Sequence, residues 1–245
     1  MPAVKLPTNI EPTPLVEAVV DVRFLPLIPP AAVFGFVYGL IKDQYGQVSP
    51  LPVLQLPEEI REQDPNFIFQ PLYRMQNGPF LLQLGPRIFN VVALDKGYPG
   101  WSVFREEISR LFDLLNQKGV IDSVTRIGVR YINYFSFNVF EVSNFAINLL
   151  ETSLTKGNVL LRIEFPDDNL VTVLQIMNGG KLQVGTEEKK GSILDLDTFI
   201  VEPSLGENKS IDFRHLIDLA HQELKRRFFS GLKDEYINSL NPQYE

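Results

Sequence analysis

The chain has 245 residues, 44 % hydrophobic and 22 % charged, with a net charge of -7 and no cysteine. This composition fits a folded protein of one large domain or two packed subdomains rather than a disordered chain. Lack of cysteine excludes disulfides, thiolate catalysis and Cys-ligated zinc. The acidic balance argues against a general nucleic-acid binder, which needs clustered Lys and Arg against phosphate.

The charge is evenly spread. Residues 1–122 carry 10 basic and 13 acidic side chains, and residues 123–245 carry 13 and 17. No charged tail stands out. No apolar run approaches the roughly 18 residues of a membrane span, and no signal peptide opens the chain. The expectation is a cytoplasmic protein that binds neither membrane nor nucleic acid.

Residues 1–14, with four prolines, read as an extended leader. Val16 to Leu25 alternates as a strand, and Pro26, Pro29 and Pro30 end it. A helix is expected over 31–45, stopped by Gly46. Val53 to Leu56, set between prolines, reads as an edge strand. Residues 67–76 and 80–84 form a hairpin closed at Asn77-Gly78, with another strand over 87–94. Residues 101–118 make an amphipathic helix through Phe104, Ile108, Leu111, Phe112 and Leu115, and Gly119 ends it.

The second half runs in similar order. A strand is expected over 125–135 and a short helix over 142–151. Strands at 159–165, 170–177, 181–186 and 192–201 follow, with Gly179-Gly180 in a hairpin turn. One long helix is expected over 211–240, its buried stripe running from Phe213 through Ile217, Leu224 and Phe228 to Tyr236. Asp212 or Ser210 is placed to cap it.

Two echoes suggest a duplication. Val22-Arg23-Phe24 recurs as Val129-Arg130-Tyr131, and Asn77-Gly78 as Asn178-Gly179, at offsets of 107 and 101 residues. Each half reads strand, helix, three or four antiparallel strands, helix. The fold expected is α+β: two such repeats, 15–122 and 123–245, forming a curved, mostly antiparallel sheet with helices on one face and a long C-terminal helix. This order resembles the duplicated saddle of the TATA-binding-protein-like fold, in topology alone. A helix-grip sheet around the last helix is the competing architecture.

Several segments resemble a sporadically distributed bacterial and archaeal family of uncharacterised proteins. They are Pro14 to Phe24 (PLVEAVVDVRF), Tyr98 to Phe104 (YPGWSVF), Arg126 to Asn133 (RIGVRYIN) and Asp218-Leu-Ala-His221 with Phe228 and Asp234. The resemblance spans nearly the whole chain and implies no activity and no catalytic residues.

Strand alternation puts Asp21, Arg23, Arg126, Arg130, Arg162, Glu164, Asp195 and Asp197 on polar strand faces. Arg23, Arg126, Arg130, Arg162, Asp195 and Asp197 are the candidate ligand-binding residues, with arginine as a bidentate clamp for an anionic or polar ligand. The simpler reading is a solvated face laced with cross-strand ion pairs.

His215 and His221, six apart on a helix, diverge by about 240° and cannot share a metal. His221 reads as a packing residue, with a general base as the sharper alternative, and Asp218 is within i, i+3 reach of it. Asp167-Asp168 and Asp195/Asp197 are the close acidic pairs that invite a hard-cation reading, and turn chemistry accounts for the first. Trp101 reads as packing its helix onto the sheet, and Lys225-Arg226-Arg227 as a solvated stretch of helix. No phosphate loop, dinucleotide fingerprint or serine-elbow motif is present, so no cofactor and no metal is implied. Two functions remain: a non-catalytic binding or assembly module for a protein partner, a polar ligand or a second copy, and a hydrolase or transferase acting on an anionic substrate.

Overall fold

The structure is a computed structural model that describes residues 5–94, 97–184, 187–201 and 211–244. Its strands are β1 (Leu15–Pro26), β2 (Val48–Pro50), β3 (Tyr73–Asn77), β4 (Phe80–Gly85), β5 (Ile88–Leu94), β6 (Ile121–Phe135), β7 (Asn148–Leu149), β8 (Thr152–Ser153), β9 (Val159–Asp167), β10 (Leu170–Val184) and β11 (Glu187–Val201). The helices are α1 (Pro30–Ile41), α2 (Glu58–Gln63), α3 (Trp101–Gln117), α4 (Phe213–Gly231) and α5 (Asp234–Ser239). Nine strands hydrogen-bond in the order β2-β3-β4-β5-β1-β6-β11-β10-β9, while β7 and β8 pair separately. The protein is therefore α+β, with a large, mostly antiparallel sheet and a long helix near its C-terminal end. Packing groups the chain into two compact units. One, here the N-terminal unit, comprises Glu17–Val129 and Phe199–Ala220. The other, the C-terminal unit, comprises Arg130–Thr198 with Met1–Val16 and His221–Glu245.

In the N-terminal unit, β1 lies antiparallel to β5 with Asp21 opposite Asn90 and Arg23 opposite Ile88. Ala18, Val20, Val22 and Phe24 point to the helix side and are completely buried. Period-2 alternation alone produces this partition. Helix α1 begins on Pro30, whose missing N–H costs nothing at a first helical position. Its Phe34 stacks on Tyr73 at 3.8 Å between ring centres. Helix α3 buries Phe104, Ile108, Leu111, Phe112 and Leu115, and Phe112 stacks on Phe213 of α4 at 4.0 Å.

The strand expected over 53–56 is a 3-10 turn, Pro52–Gln55, and the pairing strand is β2 just before it. Pro50 and Pro52 bring no N–H to a ladder, while Leu54 N–H closes a tight turn onto the Leu51 carbonyl. Residues 67–72 precede β3 as irregular chain, and α2 was not foreseen.

In the C-terminal unit, β9 and β10 form a hairpin around Asp168-Asn169, with Asp168 at φ 48°. Two sequence expectations fail here. Strand β10 continues through Asn178-Gly179, so that pair does not close a hairpin. Gly179 has φ 73°, a left-handed conformation in mid-strand that glycine adopts at no steric cost, and Asn158 occupies the space where a Cβ would stand. The Asn178 amide donates to the Gly157 carbonyl at 2.9 Å, and its Oδ1 lies 2.6 Å from the Ser192 hydroxyl. The Asn-Gly echo is thus no equivalent of Asn77-Gly78, which does close the β3–β4 hairpin.

The second failure is the helix expected over 142–151, where a 3-10 turn (Val139–Glu141) and the β7–β8 hairpin stand. The Asn144 amide donates to the carbonyls of Ser230 and Leu232, and Lys233 N–H donates to the Val142 carbonyl. The same bonds end α4 at Gly231, so the single helix expected over 211–240 is two, α4 and α5. Gly231 is required there, since a Cβ would stand 2.7 Å from the Phe145 ring.

Candidate functional site

The candidate residues fall into separate clusters, each built by strand alternation. In the N-terminal unit, Asp21 accepts a hydrogen bond from Arg126 of β6 through Oδ1, and its Oδ2 lies 3.7 Å from Arg23 Nε. The Arg126 side chain is 8 % exposed and lies over the Phe199 ring, with the guanidinium carbon 4.2 Å from the ring centre. Gly128 makes room for it, because a Cβ at that position would stand 2.6 Å from both Arg126 Nη1 and Asp21 Oδ1. Arg23 in turn lies over Phe69 at 5.2 Å. These arginines are walled by aromatic rings and matched by a carboxylate.

In the C-terminal unit, Arg130 of β6 grips Asp195 of β11 with two hydrogen bonds of 2.9 and 2.6 Å. Gln175 of β10 adds a third donor to Asp195 at 3.3 Å. The Asp195 side chain is 8 % exposed and that of Arg130 41 %. The fork of the guanidinium is therefore occupied by a carboxylate, in the geometry an anionic ligand would use. Asp197 shares this face of β11 two residues further on. Arg162 and Glu164 of β9 pair with each other at 2.5 Å, both more than half exposed.

His221 is buried against Tyr131, with 5.7 Å between ring centres. Burial, and secondarily the charge of Lys225, pushes its pKa down to about 3. A neutral, enclosed imidazole is a packing element here. The Asp218 carboxylate accepts from Trp101 Nε1 at 2.7 Å and from Arg105 at 2.8 Å, binding α4 to α3. Asp212 accepts from His215 N–H and caps the start of α4. Arg226 and Arg227 both hydrogen-bond Glu223, and Arg227 covers the Phe165 ring, so this basic stretch is matched by acid on its own helix. Tyr45 donates to Glu107, which Arg110 also grips, and burial followed by the Glu107 charge raises the phenol pKa. Among the described residues no three His, Asp or Glu side chains converge as a metal would need. No described helix is long and apolar enough to cross a membrane.

The two ends of the sheet differ. β2 has three residues and ends in Pro50, the blunted form that limits further pairing. β9 has nine residues, and no strand among the described residues pairs with its outer edge. Leu160 on β9 is 77 % exposed and Ile163 37 %. Across a two-residue hairpin the flanking pair, Asp167 and Leu170, exchanges both backbone bonds. Odd-numbered residues of β9 then bond inward to β10, and Leu160, Arg162 and Glu164 turn N–H and C=O outward. Pro166 offers only its carbonyl.

No protein-family model and no curated protein matches the chain.

Sequence reasoning placed Arg162 and Glu164 on one strand face but did not see that their strand lies at the sheet's end. Strand order is set by long-range pairing, and no local pattern in residues 159–167 encodes it. The partial signal was Pro166, since proline inside a strand favours an edge.

Proposed function

We propose that the chain is a non-catalytic binding and assembly module that takes a strand of a protein partner onto the outer edge of β9. The observation that carries this reading is the nine-residue edge, unpaired among the described residues, with Leu160 exposed beside it. An open edge of this length is a template for strand addition, in which main-chain bonds supply affinity and alternate side chains supply selectivity. The candidate residues Arg23, Arg126, Arg130, Arg162, Asp195 and Asp197 fit this better than they fit an anion site. Arg126, Arg130 and Arg162 each pair with a carboxylate, which an anionic substrate would first have to displace.

The test uses two proline variants. Arg162→Pro removes an outward N–H and leaves the ladder to β10 intact, whereas Leu161→Pro removes an inward one. Native mass spectrometry of the protein purified from its own cells should show a polypeptide complex. Arg162→Pro should dissolve it and leave the chain folded as judged by its circular-dichroism spectrum, with a melting temperature no lower than that of the uncomplexed wild type. A complex that survives in Arg162→Pro overturns the reading, and a small bound mass in place of a polypeptide moves it to a polar ligand.

The chain's halves also read as copies of one ancestral unit, as the Val-Arg-aromatic echo suggested. In support, the first strand of each half, β1 or β6, pairs with the last of its half, β5 or β11, and the hairpins follow outward in order. The expected sheet curvature and the equivalence of Arg23 with Arg130 belong to the same proposal. Superposing 15–94 on 121–201 in a crystal structure tests it. Strands out of register by a residue would refute their common ancestry.

A further inference from the structure

The strand that fits the β9 edge best is β9 itself. Resting on the assembly reading above, we infer that two copies of this chain join edge to edge through their β9 strands, antiparallel and centred on Ile163.

The argument begins with hydrogen-bond parity. The outward-facing backbone groups belong to the even residues Leu160, Arg162 and Glu164, with the carbonyl of Pro166. An antiparallel partner must present its own outward residues opposite these. In a twofold pairing that sets Ile163 against Ile163 of the second copy, every even residue meets an even residue. Arg162 then faces Glu164 of the second copy, and Glu164 faces Arg162. Each such pair exchanges two backbone bonds. Leu160 faces Pro166, where its N–H donates to the proline carbonyl and the missing proline N–H leaves one bond unmade.

The side chains agree with the same register. Arg162 and Glu164 already share one face at 2.5 Å, both exposed. The second copy adds an opposite charge directly across from each, giving an alternating four-charge cluster of the kind that supports cross-strand pairs. Leu160, 77 % exposed, gains the apolar Pro166 ring opposite it. On the other face Leu161 meets Phe165, and the two Ile163 side chains meet each other. A shift by two residues either way keeps the backbone parity but sets Arg162 against itself or Glu164 against itself, and like charges opposite one another repel. Charge complementarity thus selects one register and a self-complementary, isologous interface.

The experiment measures oligomeric state of the purified full chain by sedimentation across concentration, for wild type, R162E, E164R, the double variant R162E/E164R and Arg162→Pro. The wild type should be a reversible dimer. R162E and E164R each place like charges in both cross-strand pairs and should weaken the dimer by about tenfold or more. The double variant restores opposite charges and should dimerise like wild type. An equimolar mixture of R162E with E164R should form a heterodimer, because each variant supplies the charge its partner lacks. Melting temperatures of all variants check that the fold is intact.

A purified chain that stays monomeric, while the complex from its own cells is lost on Arg162→Pro, overturns self-pairing and leaves the edge as the site for another polypeptide. A dimer indifferent to Arg162→Pro and to both charge reversals overturns self-pairing and the edge reading together.

Discussion

Replacing His221 by leucine should make the protein less sensitive to acid, and the size of the effect follows from the burial of the ring. In the folded protein the imidazole stays neutral until the pH reaches about 3. In the unfolded chain the same ring takes up a proton below about 6.5. The folded pKa is the lower of the two, so the unfolded state binds more protons throughout this window. Stability contributed by the neutral ring is fully present above pH 6.5 and drains away as the pH falls toward 3. At pH 5 the unfolded state gains about 2 kcal/mol, from 1.5 units below its pKa at about 1.4 kcal/mol per unit.

Urea unfolding at pH 7.5 and pH 5 measures this. Wild type should lose about 2 kcal/mol more than His221→Leu between the two values. For a slope of about 3 kcal/mol per molar, that is a differential midpoint shift of about 0.7 M. The constant cost of losing the imidazole's packing against Tyr131 cancels in the difference. Parallel pH profiles for the two proteins would refute the buried neutral histidine.

Asp21→Ala should cost about 3–5 kcal/mol, because it leaves Arg126 enclosed without its carboxylate; urea midpoints for Asp21→Ala and the double variant D21A/R126L should show most of that loss recovered in the double. Gly128→Ala drives a methyl group into the same ion pair and should destabilise by about 1–3 kcal/mol, read from the melting temperature. Asp218→Ala removes two hydrogen bonds from a carboxylate that joins α3 to α4 and should cost about 1.5–3 kcal/mol. Since Trp101 is the only tryptophan, its emission reports the loss directly; an unchanged spectrum would contradict the indole–carboxylate bond.

Elements bounded by strong local chemistry were legible from sequence. Strand β1 ends in prolines, α3 carries an uninterrupted apolar stripe and stops at Gly119, and Asn77-Gly78 closes its hairpin, all as expected. Expectations failed where a distant segment supplied the deciding bonds. Asn178-Gly179 has the composition of a turn, yet Asn158 and Ser192 hold it in mid-strand. The helical pattern through residue 240 is interrupted because Asn144, far away in sequence, takes the carbonyls at its break. The arginines were placed correctly on strand faces, since alternation is a local rule. Their pairing with particular carboxylates depends on the order of strands, which no local pattern carries.

The interleaving of the two units constrains how a ribosome can deliver this protein. When residues 17–129 have emerged, Phe112 lacks Phe213, and neither Trp101 nor Arg105 has Asp218. The N-terminal unit is completed only when residues 199–220 follow, some 70 residues after its main body. The leader waits longer still, since Thr8 and Glu11 bond to the carbonyls of Gln243 and Leu240. A nascent chain must therefore carry part of the apolar face of the N-terminal unit uncovered until residues 199–220 have emerged. The intermediates that still lack these contacts are the species a chaperone would meet.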